Sequence, residues 1–407
     1  MNWEWTPQMR QVRDFLHYFA QTEIRPISRA ADIAHEVPLA FLTKVKALGI
    51  SMEPIPASVG SAGGGEGVGE EEDSKRVRQT NRIAVVAAEE MAWGDAAVII
   101  TLPGPGLGGP PVAATGTAEQ KTRLFGVFSA PEPKWGAYAL TEPEAGSDAS
   151  GVQMTAAQTS GGYILNGTKT FITNGARAEW IVTFATVDRA LGRRGQRAFV
   201  VEKGQPGLEP GRIFDKMGLR ASETSEFTLV DAFVPDHNLL GGESYYQERQ
   251  AKGFRVAMAT FDSTRPLVAA MAVGIARAAL EEATDRLTQN SALSLATPLA
   301  GATRARLGQM AVELEMARAL VFEAASMADA RQPNAKMASM SKAFAGQVAM
   351  AICRQAMDLV GSVGALGDSL LEKWYRDIKV FDIFEGTGQI QRIVISRRLF
   401  EEAGAAN

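Results

Sequence analysis

One segment near the end of the chain places a carboxylate where it could transfer a proton. Residues 381–392 read FDIFEGTGQIQR, with Glu385 followed by Gly386 and Thr387 and with two glutamines close behind. A single acid beside a glycine and amide side chains can act as a base toward a bound ligand. Few other side chains could serve as a base near neutral pH, because the histidines are only His17, His35 and His237.

Composition limits the classes of protein to which the chain can belong. Its 407 residues predict two or three domains, and 46% hydrophobic with 22% charged residues is ordinary for a globular protein. A net charge of −4 gives no basic field for nucleic acid or an anionic membrane. Cys353 is the only cysteine, which excludes an intramolecular disulfide and any cysteine-based metal site; no metal site is predicted.

The N-terminal sequence helps to predict the cellular compartment of the protein. MNWEWTPQMRQVRDF lacks the basic start and apolar core of a signal peptide. No stretch approaches the roughly 18 to 20 apolar residues that a membrane span needs. We therefore expect a cytoplasmic protein with no membrane span and no nucleic-acid partner.

Residues 1–134 are predicted to form a helical domain. Apolar residues recur at helical spacing over Trp5–Ala31 and Leu39–Leu48, and helical character returns over Gln79–Met91. Glycine and acidic residues dominate residues 57–75, which predicts a mobile surface loop.

Residues 135–240 are predicted to form a β domain of short antiparallel strands. Asn166-Gly167 between two apolar runs predicts a hairpin turn. Runs rich in Val, Ile, Thr and Phe predict three more strands, at Trp180–Thr186, Arg197–Glu202 and Glu226–Val234.

Residues 241–407 are predicted to be helical again. An apolar stripe at spacings of three and four predicts the core of a four-helix bundle; its members are Leu307, Met310, Leu314, Ala317, Val321 and Ala324. The predicted order, helices then strands then helices, is an α+β multidomain architecture.

Several motifs occur in an order that is typical of one enzyme family. They are YALTEPEAGSD at 138–148, KTFITNG at 169–175, MGLR at 217–220, FDSTRP at 261–266 and FEGTGQIQ at 384–391. With this set the chain resembles the acyl-CoA dehydrogenases over nearly its whole length, most closely their short- and medium-chain branch. The resemblance implies the three-domain fold outlined above, FAD between the middle and C-terminal domains, and a homo-oligomer, either a tetramer or a dimer.

The resemblance also implies a reaction and a role for Glu385. It implies that Glu385 takes the α proton of an acyl-CoA thioester while flavin N5 takes the β hydride. The Glu385 backbone N–H and a flavin hydroxyl would polarise the thioester carbonyl. Burial should raise the pKa of this carboxyl, and Gly386 should let the thioester approach the backbone. Electrons would pass to an electron-transferring flavoprotein.

Other residues are assigned by their positions in the motifs. The residues expected to hold FAD are Tyr138, Leu140, Thr141, Gly146, Ser147, Phe171, Thr173, Thr387 and Gln389. The residues expected to hold the substrate are Ser147, Asp262, Arg265 and Gly386. For Arg265, an ion pair at the start of a helix is the alternative. Many relatives have Trp in place of Phe171, and Phe keeps the aromatic stacking with less area.

Two positions depart from the family pattern. Where relatives have Arg-x-x-Phe-Gly, this chain has Asn290, Leu293 and Ser294, and an asparagine cannot bind the FAD pyrophosphate as an arginine does. The loss would cost about 1.5–3 kcal/mol. Where relatives have Gln-x-x-Gly-Gly, the chain begins with Asp358 and ends with Gly361-Ser362, so a negative charge would face the adenosine end.

Three alternatives to a dehydrogenase stay open on the sequence. An acyl-CoA oxidase would pass its electrons to oxygen, and a desaturase of the same fold would act on thioesters of a carrier protein. The missing contacts to adenosine would also fit a non-catalytic or half-site subunit of a hetero-oligomer, although the retained Glu385 argues against it.

Overall fold

The protein folds as helices, then a sheet, then helices, as predicted. The computed structural model describes residues 5–50, 79–247, 252–289, 298–366 and 369–404. The predicted loop at 57–75 lies outside these ranges, as do Asn290, Leu293 and Ser294.

Six α-helices lie in the described part of the N-terminal region, residues 5–50 and 79–134. A five-residue π-helical turn, Ala20–Ile24, joins the first helix to the second. The helices are α1 (Pro7–Phe19), α2 (Arg25–Ala34), α3 (Leu39–Ala47), α4 (Thr80–Ile100), α5 (Gly109–Thr115) and α6 (Ala118–Gly126). In α1, the Thr6 hydroxyl caps the N-terminus by accepting from Met9 N, and a proline follows in the first turn.

The middle of the chain forms a seven-stranded sheet. Its strands are β1 (Gly136–Ala139), β2 (Thr155–Thr159), β3 (Gly162–Thr173), β4 (Trp180–Thr186), β5 (Gln196–Glu202), β6 (Leu208–Ile213) and β7 (Thr224–Pro235). Most pairings are antiparallel, but β4 runs parallel to β1, and its last residue, Thr186, pairs in parallel with Thr155 at the start of β2. The three strands predicted beyond the hairpin are β4, β5 and β7, with ends within two residues of the prediction.

The predicted hairpin turn at Asn166-Gly167 is wrong. Strand β3 runs straight through both residues, and the chain instead reverses between β2 and β3. The pairing with β7 is irregular there, Gly167 has φ +145°, and the Asn166 amide bonds Asp231 across the irregularity. Asn-Gly serves here as a bulge within a long strand, because a glycine admits this backbone conformation at little cost.

The C-terminal region is a helical bundle with a short helix before the last one. Its helices are α7 (Gly242–Gln247), α8 (Lys252–Gln289), α9 (Pro298–Asp329), α10 (Ala335–Val360), α11 (Leu371–Asp377) and α12 (Gly388–Glu402). The predicted apolar stripe lies on α9, where Met310, Leu314, Ala317 and Val321 are buried. None of the helices in the described ranges is both long and apolar enough to cross a membrane.

Helix α8 joins the two large hydrophobic cores of the molecule. Val256 and Ala257, near its start, pack in the core of the sheet. Further along, residues from Val268 to Ala283 pack in the core that the N- and C-terminal helices share. The FDSTRP motif lies between these two parts, with Pro266 inside the helix. Helix α8 therefore fixes this motif relative to both the sheet and the bundle.

Candidate active site

Glu385 lies in a strained turn just before α12. Its φ is +54° and that of Gly386 is +91°, so two successive residues adopt left-handed conformations. Such a conformation costs a residue with a side chain on the order of 1–3 kcal/mol unless its surroundings hold it. The φ of Gly386 strains any residue with a side chain, and an added Cβ would lie 2.6 Å from the Gln391 amide nitrogen, which would have to move.

Side chains on both sides hold the turn in place. Gln391 Nε2 donates to the carbonyls of Gly386 (3.0 Å) and Glu385 (3.3 Å), and Lys342 Nζ donates to the Gly386 carbonyl at 2.6 Å. Thr387 caps α12 by accepting from Ile390 N at 3.3 Å. The Glu385 turn is thereby fixed to α10 and to the first turn of α12.

The Glu385 carboxylate points at α8. Its Oε2 accepts a hydrogen bond of 2.6 Å from the hydroxyl of Thr264, which is buried in the FDSTRP motif. Desolvation raises the pKa of Glu385 above its ordinary value, as the sequence led us to expect. The Thr264 hydrogen bond opposes this rise, and so do the positive charges of Lys342 and Arg265.

Arg265 is buried, with 5% of its surface exposed, and its charge acts on both Glu385 and Lys342. It lies well inside α8, so the alternative of an ion pair at a helix start is wrong. The side chain of Asp262, the other residue expected to hold CoA, lies outside the described residues.

The sheet forms the wall opposite this cluster. Tyr138 of β1 is buried, and its hydroxyl lies 3.5 Å from the carbonyl of Ala257 in α8. Its ring packs edge-on against Phe261, with centroids 5.7 Å apart. Burial raises the pKa of Tyr138 well above its ordinary value, and the charge of Glu385 adds to the rise. The structure thus brings β1 and Glu385 together.

The segment after β1 is braced by a buried ion pair. Lys169 Nζ donates to Glu142 Oε1 (2.8 Å) and to the Leu140 carbonyl (3.0 Å), and Thr170 N donates to the Thr141 carbonyl (3.0 Å). Burial lowers the pKa of Lys169 to about 8 even though Glu142 opposes the fall. These contacts tie the LTE sequence to β3 and present the half-buried Thr141 at the edge of the sheet.

Phe171 combines an exposed ring with an unusual backbone. Its φ is +58° and 62% of its surface is exposed, in the irregular part of β3 where pairing with β7 shifts. The Phe171 ring packs against the ring of Phe214, with centroids 4.7 Å apart. An aromatic ring held outward in this way has area that a second planar ring could cover.

The remaining residues of the predicted site are more dispersed. Thr173 is half-buried near the end of β3, where it pairs with Thr224 of β7. Gly146, Ser147 and Gln389 are exposed. The structure therefore groups Tyr138 with Glu385 and Arg265. By contrast, Gly146, Ser147 and Gln389 lie on the surface of a single chain.

The residues at the edge of the sheet fit the ring system of FAD. They offer hydroxyls on Thr141, Ser147 and Thr173 and an exposed aromatic ring on Phe171. Neutral donors and an aromatic face suit an uncharged heteroaromatic ring.

At the predicted adenosine end, Asp358 does not stand alone. Its carboxylate lies 3.3 Å from Nη2 of Arg306 in α9, and both side chains are substantially exposed. The expected negative charge is therefore accompanied by a positive one from the same chain.

Thr264 and Lys342 were not predicted as site residues. Thr264 stands inside a motif that was noticed, next to Arg265. Lys342 has a sequence signal of its own, since it is a lysine among small residues (SMSKAFAGQ) on a helix whose neighbouring positions are buried.

Comparisons with known proteins agree with this organisation. Family models for the N-terminal, middle and C-terminal domains of acyl-CoA dehydrogenases match residues 6–128, 137–232 and 251–400. The short-chain specific acyl-CoA dehydrogenase of Clostridium acetobutylicum is 34% identical over 98% of this chain and 100% of that protein.

Solved structures agree as well. Butyryl-CoA dehydrogenase from Megasphaera elsdenii superposes with a TM-score of 0.85 at 32% identity, covering 98% of this chain and 100% of the other. A chain from a study of the electron transferring flavoprotein of Acidaminococcus fermentans superposes with a TM-score of 0.84 at 34% identity, covering 98% and 99%. This chain therefore belongs to the acyl-CoA dehydrogenase family of FAD-dependent oxidoreductases.

Proposed function

We propose that this chain oxidises a short saturated acyl-CoA to its α,β-unsaturated thioester, with Glu385 as the base. The observation that carries the proposal is the Glu385 carboxylate, desolvated between the sheet and the bundle and held by Thr264 at 2.6 Å. The short chain length rests on relatives named for short-chain acyl-CoA and butyryl-CoA.

The raised pKa of Glu385 suits this role. The α proton of a thioester is very weakly acidic. A stronger base therefore reduces the difference in pKa between the α carbon and the base, which polarisation of the carbonyl must otherwise overcome. The Cα–H bond breaks toward the Glu385 carboxylate, which becomes a carboxylic acid. FAD, when bound, supplies the two-electron acceptor for the β hydrogen. The Glu385 backbone N–H is proposed to polarise the carbonyl, with Gly386 leaving room for the thioester.

We assign the cofactor's ring to the edge of the sheet. The proposed contacts are those predicted from the motifs, namely Tyr138, Leu140, Thr141, Gly146, Ser147, Phe171, Thr173, Thr387 and Gln389. Support comes from the braced LTE segment and from the exposed ring of Phe171. For the substrate we propose Ser147, Asp262, Arg265 and Gly386. The burial of Arg265 beside Glu385 favours a role near the thioester over one at the far end of CoA.

An electron-transferring flavoprotein is the proposed electron acceptor. A chain that this one resembles at 34% identity comes from a study whose title concerns such a flavoprotein. The proposed assembly is a homo-oligomer, because exposed residues such as Gly146 and Ser147 would need a covering partner to form part of a closed site.

The test is anaerobic reduction of the purified protein by butyryl-CoA. We expect the flavin absorbance of the wild type to bleach, and Glu385→Gln to retain oxidised flavin that does not bleach. Glu401→Gln on the surface of α12, where Glu401 pairs with Arg398, is the matched control and should behave as the wild type. A Glu385→Gln variant that bleaches at the wild-type rate would remove the base assignment.

The same preparation separates the alternatives. Release of peroxide in air would identify an oxidase, and bleaching by acyl-carrier-protein thioesters but not by CoA thioesters would identify a carrier-protein enzyme. A colourless protein that stays inactive with added FAD would identify a non-catalytic subunit.

A further inference from the structure

We propose that Lys342 is a positioning residue for the base: its ammonium holds the Glu385 turn through the Gly386 carbonyl, and its charge favours the ionised form of Glu385. This inference rests on the proposed function of Glu385 as the base. Lys342 belongs to α10 and is fully buried, with 1% of its surface exposed.

The conformation of the turn requires an external anchor. Glu385 and Gly386 both have positive φ, so the turn is not held by intrinsic backbone preference. Lys342 Nζ lies 2.6 Å from the Gly386 carbonyl oxygen, and Gln391 Nε2 lies 3.0 Å from the same atom. A charge-assisted bond of this length is stronger than a neutral one, so Lys342 supplies the firmer of the two anchors.

Burying the ammonium of Lys342 costs free energy that nearby groups must offset. An ammonium removed from water loses several kcal/mol of hydration unless nearby anions and acceptors offset the loss. The charges facing Lys342 are the carboxylates of Glu385 and Asp382, which favour its charged form, and the guanidinium of Arg265, which opposes it. Burial still lowers the pKa of Lys342 to about 8, so the side chain is mostly charged at neutral pH.

Lys342 also acts on Glu385 in return. The groups that act on its carboxylate are Thr264 and Arg265 of α8 and Lys342 of α10, and Tyr138 of β1 faces it. The three helix residues favour the ionised form of Glu385, whereas desolvation favours its protonated form. Lys342 also holds the backbone that carries the proposed base, through its hydrogen bond to the Gly386 carbonyl.

Three substitutions separate the two effects of Lys342. Lys342→Met keeps the length of the side chain and removes both donor and charge. Lys342→Gln keeps a donor without the charge, and Lys342→Arg keeps the charge. The control is Lys336→Met on the same helix, where the lysine is partly exposed and pairs with Glu402 at 2.5 Å.

Lys342→Met should lower kcat for butyryl-CoA about 10- to 100-fold with little change in KM, because the substitution displaces the Glu385 carboxylate without removing a contact to the substrate. Removing one nearby positive charge should also move the acidic limb of the pH profile upward by about one unit. Lys342→Arg should restore the limb, whereas Lys342→Gln should recover part of kcat but leave the limb shifted. Lys336→Met should change neither.

A readout independent of turnover is the hydrogen exchange of backbone amides over residues 384–391. In Lys342→Met these amides should exchange at least tenfold faster than in the wild type, with α10 itself unchanged. If Lys342→Met does not fold, the contrast between Lys342→Gln and Lys342→Arg decides. The proposal is overturned by wild-type exchange together with an unshifted acidic limb in Lys342→Met, or in Lys342→Gln where Lys342→Met does not fold.

Failure of the proposed function gives a different result. A wild-type protein that no thioester reduces would refute the dehydrogenase, and amide exchange would still report whether Lys342 holds the turn.

Discussion

The hydroxyl of Thr264 should set the pH at which the base works, and Thr264→Val tests this directly. Valine has nearly the shape of threonine and the same β-branching, so the buried helix position should tolerate it. What it removes is the donor 2.6 Å from Glu385 Oε2. A hydrogen bond to a charged group is worth about 1.5–3 kcal/mol, and 1.36 kcal/mol corresponds to one pKa unit. The pKa of Glu385 should therefore rise by about one to two units.

The sign of the effect follows from the active form of the base. As the proposed base, Glu385 would accept the α proton only as a carboxylate, and desolvation already raises its pKa while the Thr264 hydrogen bond limits the rise. Without the hydroxyl, the acidic limb should move to higher pH. Below the new pKa the rate should fall about 10- to 100-fold, and it should recover above it.

The assay is the rate of anaerobic flavin bleaching by butyryl-CoA in stopped flow, measured across pH. Thr260→Val is the matched control: Thr260 lies one turn earlier in α8, is also buried, and donates to its own helix at the Val256 carbonyl. The acidic limb of the pH profile of Thr260→Val should stay at the wild-type pH. An acidic limb in Thr264→Val that stays in place or moves to lower pH would show that the Thr264 contact does not stabilise the working carboxylate.

Three further predictions follow from neighbouring contacts. Lys169→Met leaves the Glu142 carboxylate buried without its ammonium, and should lower the free energy of unfolding by about 3–5 kcal/mol in denaturant titrations. Gly386→Ala places a Cβ 2.6 Å from Gln391 Nε2 at a φ of +91°, and should slow flavin bleaching more than about tenfold while FAD is retained. Phe171→Ala removes the ring of a residue that is 62% exposed. The free energy of unfolding should change by no more than about 0.5 kcal/mol, while FAD should be lost faster than from the wild type on dialysis.

Each of these has a control with the same chemical change elsewhere. Lys203→Met removes a lysine from an exposed pair with Glu179 and should cost no more than about 1 kcal/mol. Gly308→Ala meets no atom within 4 Å and should leave bleaching unchanged. Phe233→Ala truncates another exposed ring and should leave FAD retention as in the wild type. Equal effects in a variant and its control would refute the corresponding contact.

Local patterns predicted the elements that are regular and buried. Trp180–Thr186 was predicted as a strand from its Val, Ile, Thr and Phe content, and β4 has those bounds with every residue buried. The Asn166-Gly167 turn was wrong because the same dipeptide can form a bulge, and the choice depends on Asp231, far along the chain. Turn chemistry alone could not separate these outcomes.

The site was predictable where a motif carries it and hidden where distant elements meet. Glu385 stood out by its neighbours in sequence. Lys342 did not, because a lysine on a helix is usually solvated, and its burial depends on the turn that packs over it from beyond α11. The alternative interpretation of Arg265 as a residue at a helix start was wrong, because periodicity across a long helix did not locate the start of α8.

The strength of the base depends on how the two hydrophobic cores are placed relative to each other. Desolvation raises the pKa of Glu385, while Thr264, Arg265 and Lys342 lower it from helices of the bundle. Tyr138, which faces the carboxylate, belongs to the sheet core, and α8 is anchored in both cores. A small shift of α8 would change desolvation and hydrogen bonding together, because Thr264 moves with the helix. Substitutions in either core, far from the substrate, should therefore alter the pH dependence of catalysis before they abolish it.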